Sequence, residues 1–278
     1  METISRATLA DLIFQRLLDV EQTLRHQYES SKEEIGYFYI DDLLPQEIAT
    51  EIYNAFPKPE DVKLKRSLRE YKYIAAQMDK YNPLLEEIIY AFQDARIVGL
   101  ISRVCNLPEI YPDENLYAGG ISMMGYQNYL NPHLDNSHDK DRNHWRVLNL
   151  LYYVTPQWEK DFGGNLEIWP DGIKKEQIVI HSKFNRLAVM ATHQRSWHSV
   201  SPVTHEGVRC CVSNYYFSPT PLLESDTFHI TSFRGRPEQK LRDIVLEGDN
   251  ILRSGLRKIF KKGVRENPHV YKKNKDQQ

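Results

Sequence analysis

Apolar side chains recur at three- and four-residue steps in the first part of the chain and at alternate positions in its middle. Leu9, Ile13, Leu17, Val20 and Leu24 fall on one stripe, which predicts a single amphipathic helix over 7–30. That stripe is expected to pack on the outside of a central sheet. The sharper alternative is a seam between two copies of the chain, a homodimer, although few heptads are available to specify a coiled coil. Residues 45–55 and 83–104 predict two further helices, each after a turn signal. Between them, Lys63 to Arg69 and Tyr71 to Tyr81 are polar and aromatic.

From Tyr117 the period changes. Short strand-like runs alternate with turns such as Phe162-Gly-Gly164, Pro170-Asp-Gly172 and His205-Glu-Gly207, a pattern that argues for a β-sandwich or barrel. In the run 147–153, Asn149, Leu151 and Tyr153 share one face while Leu148, Leu150 and Tyr152 share the other. One face can line a pocket and the other can enter the core. In the run 208–217, Arg209, Cys211, Ser213 and Tyr215 alternate with Cys210, Val212, Asn214 and Tyr216. An arginine opening an otherwise apolar strand is costly to bury unless an anion meets it, either a ligand or a carboxylate of the protein. After Pro219 the pattern is helical again from about Glu238, and no internal repeat occurs.

Composition narrows the picture. At 278 residues and 41% hydrophobic, the chain can bury a substantial core. The expected organisation is an N-terminal helical and lead-in region over 1–115, a β core over 116–220 and a C-terminal helical extension with a basic tail over 221–278, together one structural domain. A net charge of −2 gives no reason to expect nucleic acid or an anionic membrane as partner. The basic run that includes Arg253, Arg257, Lys258, Lys261, Lys262 and Arg265 is expected to be a solvated helix and frayed tail; a docking surface for an anionic partner is the alternative. Cys105, Cys210 and Cys211 suggest no disulfide framework, because neighbours in a strand point to opposite faces. With no leader pattern in the first residues and no run of eighteen apolar residues, the expectation is a soluble, cytoplasmic protein without membrane insertion.

The candidate chemistry lies in His133-Leu134-Asp135, followed by His198 and Arg209. If 132–136 is extended, His133 and Asp135 share a face and can grip one ion. With His198 from a distant strand they form the 2-His-1-carboxylate set that suits non-haem Fe(II) oxygenases, which leaves metal positions open for co-substrate and O2. Arg209 could meet a carboxylate bidentately. A lone His-x-Asp is weak, since ten histidines make chance pairs common.

The longer pattern is more specific. Asn131-Pro-His-Leu-Asp-Asn136, Arg146-Val-Leu-Asn-Leu-Leu-Tyr-Tyr-Val154, Trp158, Gly163-Gly-Asn-Leu-Glu-Ile168, Asn185 to Met190, Ser196-Trp-His-Ser-Val-Ser-Pro-Val203 and Arg209 to Phe217 follow in order. Over 117–219 the chain resembles the prolyl-4-hydroxylase-like branch of the Fe(II)/2-oxoglutarate-dependent dioxygenases. The segment Gly36 to Pro45 resembles the family's extended lead-in.

The resemblance implies a double-stranded β-helix, or jelly roll, within a mainly β fold with helical additions. It implies Fe(II) on His133, Asp135 and His198, with His198 preferred over its nearby rival His193. It further implies 2-oxoglutarate whose distal carboxylate meets Arg209 and Tyr153, with Asn149 beside the co-substrate. An aromatic residue expected in the strand before His133 is replaced by Met123 at that spacing, with Tyr126 and Tyr129 nearby. The segment 63–81 is expected at the mouth of the site, and the loop Asn136 to Trp145 is a candidate lid.

The implied reaction consumes 2-oxoglutarate and O2, with ascorbate as a supporting reductant. It releases succinate and CO2 and hydroxylates an unactivated C–H bond; retention of Asp135 favours hydroxylation over halogenation. The substrate expected is a small molecule or amino-acid derivative, free or linked to a carrier or peptide. Peptidyl-proline hydroxylation is the alternative, and a non-catalytic jelly-roll binding module is the alternative of another class.

Overall fold

The computed structural model describes residues 4–259 and 270–272. Helices α1 (Arg6–Asp19), α2 (Glu21–Ser31), α3 (Gln46–Asn54), α4 (Pro83–Ala91), α5 (Ala95–Cys105) and α6 (Lys240–Ile259) surround a mainly antiparallel β fold. Its strands are β1 (Tyr37–Ile40), β2 (Lys63–Arg66), β3 (Glu70–Ala75), β4 (Tyr111–Pro112), β5 (Gly120–Met124), β6 (Tyr129–Leu134) and β7 (Trp145–Tyr153). They continue with β8 (Leu166–Ile168), β9 (Ile178–Ile180), β10 (Arg186–Ala191), β11 (His198–Val200), β12 (Arg209–Ser218) and β13 (Ser232–Phe233).

From β5 to β12 the chain passes between two four-stranded runs, β10-β7-β12-β5 and β6-β11-β8-β9, which is the expected jelly roll. β7 lies between β10 and β12, and its two faces part as the alternation predicts. Leu148, Leu150 and Tyr152 join Leu187, Val189, Val212 and Tyr216 in the main core, while Asn149, Leu151 and Tyr153 line a cavity.

The N-terminal stripe departs from expectation in two ways. It is two helices, broken at Val20 (φ −121°, ψ 14°), whose N–H returns to Leu17 and Leu18. It also packs mainly on other helices: α1 lies on α4 and α5, and α2 lies on α5 and β1. The break lets Leu9, Ile13 and Leu17 seat in one direction and Leu24 and Tyr28 in another. All five are buried within the chain, and Val20 at the break is partly buried.

The segment 83–104 is likewise two helices, because Asp94 accepts the Arg96 N–H and caps a new start at α5. The segment 63–75 is a β-hairpin. β3 pairs with β5 through Tyr73 to Ala75 and with β6 through Glu70 and Tyr71, so it joins the two runs of the jelly roll. Gly120 permits this approach: with φ +122°, a Cβ there would lie 2.2 Å from the Ala75 carbonyl oxygen.

After β12 the chain forms β13 beside β6, then α6. Of the basic run, the side chains of Arg257 and Lys258 and all of Lys261, Lys262, Arg265, Lys273 and Lys275 lie outside the described residues. The three cysteines are free and buried. Among the described residues no helix is long and apolar enough to cross a membrane.

Candidate metal centre

β6 and β11 pair so that His133 and His198 stand directly opposite one another, with ring centroids 4.1 Å apart. Asp135 lies just beyond the end of β6. Ligand atoms of the three residues all fall within 4.8 Å of one another; Asp135 Oδ1 lies 3.7 Å from His133 Nε2, and its Oδ2 lies 3.7 Å from His198 Nε2. Each ring is oriented from behind: Nδ1 of His133 donates to the Asn131 carbonyl (3.0 Å) and Nδ1 of His198 to the Ser196 carbonyl (2.9 Å). Those bonds select the tautomer whose Nε2 lone pair points inward.

Burial, reinforced by the neighbouring His198, pushes the pKa of His133 down to about 3, which keeps it neutral and able to ligate. Burial alone would raise that of Asp135, but Arg146 and then the two imidazoles outweigh it and hold the carboxyl at about 2. Its Oδ2 is buried with no hydrogen-bond partner. A neutral imidazole pair and an ionised carboxylate with an unspent oxygen form a donor set that fits a divalent cation.

The triad lies in a cavity of about 330 Å³, and Arg209, Tyr153 and Asn149 line the same cavity. Arg209 opens β12 opposite Met124 and is 3% exposed. Its guanidinium carbon sits 5.4 Å from the centre of the Tyr153 ring, its Nε has no partner, and no carboxylate among the described residues pairs with it. The Gly163-Gly164 turn makes room for it, since a Cβ on Gly164 would lie 3.3 Å from Arg209 Nε. Burial raises the Tyr153 hydroxyl pKa, so it stays a neutral hydrogen-bonding group. Asn149 Oδ1 is also buried without a partner.

His193 is spoken for. Its Nδ1 accepts the Arg195 N–H (3.1 Å) and its Nε2 donates to the Ile35 carbonyl (3.2 Å), which leaves no lone pair for a metal. Neither nearby aromatic substitutes for the residue absent at Met123: Tyr126 is largely exposed, and the Tyr129 hydroxyl donates to the Ser67 carbonyl. Met123 itself belongs to the core. Tyr117, Ala118, Ile121, Ser122 and Met124 line the cavity there. The hairpin does reach the site, through Lys65, Arg69, Glu70 and Lys72. Of the loop after Asp135, Asn136 lines the cavity, while Ser137 is tied to His229 and Arg146 by backbone hydrogen bonds.

Arg146 lines the cavity too, although simple alternation along β7 assigns it to the core side with Leu148 and Leu150. A bulge explains this: Tyr216 pairs with Leu148, yet Phe217 pairs with Arg146, so Val147 is the extra residue and parity reverses. Phe233, whose ring is stacked on His133 at 5.2 Å, was also hidden, because β13 has only two residues.

A jelly roll that gathers two histidines, one aspartate and a buried arginine in one cavity has the composition of a non-haem iron oxygenase site. Residues 119–217, about a third of the chain, match the model of the 2OG-Fe(II) oxygenase superfamily. Prolyl 3-hydroxylase OGFOD1 of Mus musculus is 30% identical over 88 residues, a stretch covering 30% of this chain and 16% of that protein.

Two solved structures illustrate the fold. One is a Trichoplax adhaerens prolyl hydroxylase in complex with a hypoxia inducible factor oxygen degradation domain peptide fragment. It has 20% identity and a TM-score of 0.51, and the likeness covers 72% of this chain and 92% of that one. The other is the non-haem alpha ketoglutarate dependent carbocyclase SnoK from nogalamycin biosynthesis, with 14% identity, a TM-score of 0.53 and coverage of 79% and 89%.

Proposed function

We propose that this chain is an Fe(II)/2-oxoglutarate-dependent dioxygenase that hydroxylates an unactivated C–H bond of a small-molecule or amino-acid-derived substrate. The observation that carries this reading is the pairing, in one cavity, of three ligand atoms within 4.8 Å with a buried arginine whose Nε is unpaired. His133, Asp135 and His198 would hold Fe(II), and Arg209 with Tyr153 would receive the distal carboxylate of 2-oxoglutarate, with Asn149 beside it. When bound, the metal supplies O2 activation coupled to oxidative decarboxylation of the co-substrate, with one oxygen atom passing to succinate and the other to the product hydroxyl.

The protein's contribution is placement. Backbone carbonyls of Asn131 and Ser196 fix the imidazole tautomers, and Arg146 keeps Asp135 ionised. Arg209 meets an anion with a preorganised fork and loses little freedom in doing so.

The likeness to a prolyl 3-hydroxylase favours a second reading, hydroxylation of peptidyl proline. Succinate release by anaerobically purified protein, after addition of Fe(II), ascorbate, 2-oxoglutarate and air, tests the activity. Absence of turnover together with no 2-oxoglutarate-dependent change in the Fe(II) spectrum would sink it in favour of a binding module. Stimulation by proline-rich peptides but by no small metabolite would select the second reading.

A further inference from the structure

Building on that reading, we infer that the substrate is an anion, and that its carboxylate or phosphate group is received by Arg146 with help from Lys72. Six cationic side chains line the cavity, Lys65, Arg69, Lys72, Arg146, Arg209 and Arg253, against two carboxylates, Glu70 and Asp135. The acids at the mouth do not cancel this surplus, because each is shared. Glu70 lies 3.5 Å from Lys65 and 3.2 Å from Lys72. Asp249, on α6, lies 2.6 Å from Arg69 and 2.8 Å from Arg253. One carboxylate neutralises one cation, so each trio retains a positive charge.

Cofactor binding leaves the surplus in place. Fe(II) and the 2-oxoglutarate dianion are together uncharged, and the co-substrate's distal carboxylate accounts for Arg209 alone. A low-dielectric cavity with excess positive charge concentrates anions and disfavours cations.

Arg146 is where that charge is least satisfied. Its side chain is 3% exposed, its Nη1 is 3.6 Å from Asp135, and its Nε and Nη2 have no hydrogen-bond partner. The guanidinium carbon lies 4.3 Å from the centre of the Tyr215 ring, a contact that fixes the plane of the fork. Buried guanidinium N–H groups are unfavourable unless an acceptor reaches them, and carboxylate and phosphate oxygens match a planar fork best. A neutral peptide carbonyl could accept one N–H, but would leave the charge surplus standing.

The test uses the full chain loaded with Zn(II), which does not turn over, and saturated with 2-oxoglutarate. It is titrated calorimetrically with sodium acetate and, separately, with sodium phosphate at constant ionic strength. Binding of one anion with 2-oxoglutarate in place is expected, and the arm that binds identifies a carboxylate or a phosphate substrate. Affinity should fall roughly tenfold or more in Arg146→Gln and by a smaller factor in Lys72→Gln. A prior 2-oxoglutarate titration on each variant separates loss of the anion site from loss of the metal site. If Arg146→Gln cannot bind the co-substrate, Lys72→Gln decides. No binding of either anion, binding abolished by 2-oxoglutarate, or equal affinity in every competent variant overturns the inference. A wild-type chain that binds no 2-oxoglutarate overturns the proposed function with it, whereas one that binds 2-oxoglutarate but neither anion overturns this inference alone.

Discussion

In the β10-β7-β12-β5 run, which carries Arg209, Tyr153 and Asn149, β7 and β12 span nine and ten residues and the core face is sealed by apolar side chains under α4. The β6-β11-β8-β9 run, which carries His133 and His198, has three strands of only three residues and is braced by charge. Glu167 on β8 receives Arg236 at 2.6 Å and the Ser199 hydroxyl at 2.6 Å, and Trp169 donates to that same hydroxyl at 2.8 Å. Arg236 also reaches the Val200 carbonyl. From α6, the Asn250 amide grips both the N–H and the carbonyl of Phe233, the residue stacked on His133. Three-residue strands make too few ladder bonds to fix a ligand by themselves. The polar clamps behind them supply the rigidity that the long strands obtain from packing.

That contrast can be broken most completely at the ligands. His133→Ala should take succinate release to background at any 2-oxoglutarate concentration. Arg209→Ala, on the long-strand side, should instead be partly rescued by excess co-substrate.

Next in size, Glu167→Ala strands the buried Arg236 and should cost about 3–5 kcal/mol in a denaturant melt. The paired replacement Glu167→Met with Arg236→Met should recover most of that loss; if it does not, packing rather than charge braces the short strands. Arg209→Ala should raise the 2-oxoglutarate concentration for half-maximal turnover by roughly tenfold or more, as expected for loss of hydrogen bonds to a charged group. The stability of the co-substrate-free protein should change little, because that arginine has an unpaired Nε there.

Asn250→Ala should cost about 1 kcal/mol and weaken metal binding by a few-fold, read by competition with a chelator. The smallest effect concerns His193, in the connection between the two runs. Burial lowers its pKa, so the unfolded chain takes up a proton near the ordinary 6.5 while the folded chain resists it. Its contribution to stability is therefore full above that pH and declines as the pH falls below it. His193→Gln should flatten that part of the melting-temperature profile, and an unchanged slope would assign the decline to other groups.

The long-strand side was the more legible in sequence. Its alternation separates Asn149, Leu151 and Tyr153 from Leu148, Leu150 and Tyr152 without reference to anything beyond the strand. Arg146 escaped because a single bulged residue reverses parity, and nothing in Trp145-Arg146-Val147 announces it. The β2–β3 hairpin escaped because it forms by pairing with two sheet margins. Its apolar residues Leu64 and Leu68 are exposed and so leave no stripe. The helix breaks at Val20 and before Asp94 serve the directions of packing, which periodicity cannot contain. The shared face of His133 and Asp135 was legible from their spacing, the choice of His198 over His193 needed the family resemblance, and the supports at Glu167, Arg236 and Phe233 required the fold.

The direct pairing of His133 with His198 also has a kinetic meaning. Everything from β7 to β10 lies between those two residues in the chain, so the proposed ligand set cannot form until that whole length has closed on itself. Closing so long a loop is entropically slow, and contacts of this range dominate the late steps of β-rich folding. Acquisition of metal affinity during refolding should therefore lag the recovery of helical circular dichroism, which reports local contacts. The bound ion would then act as a latch that favours the finished topology over partly closed ones.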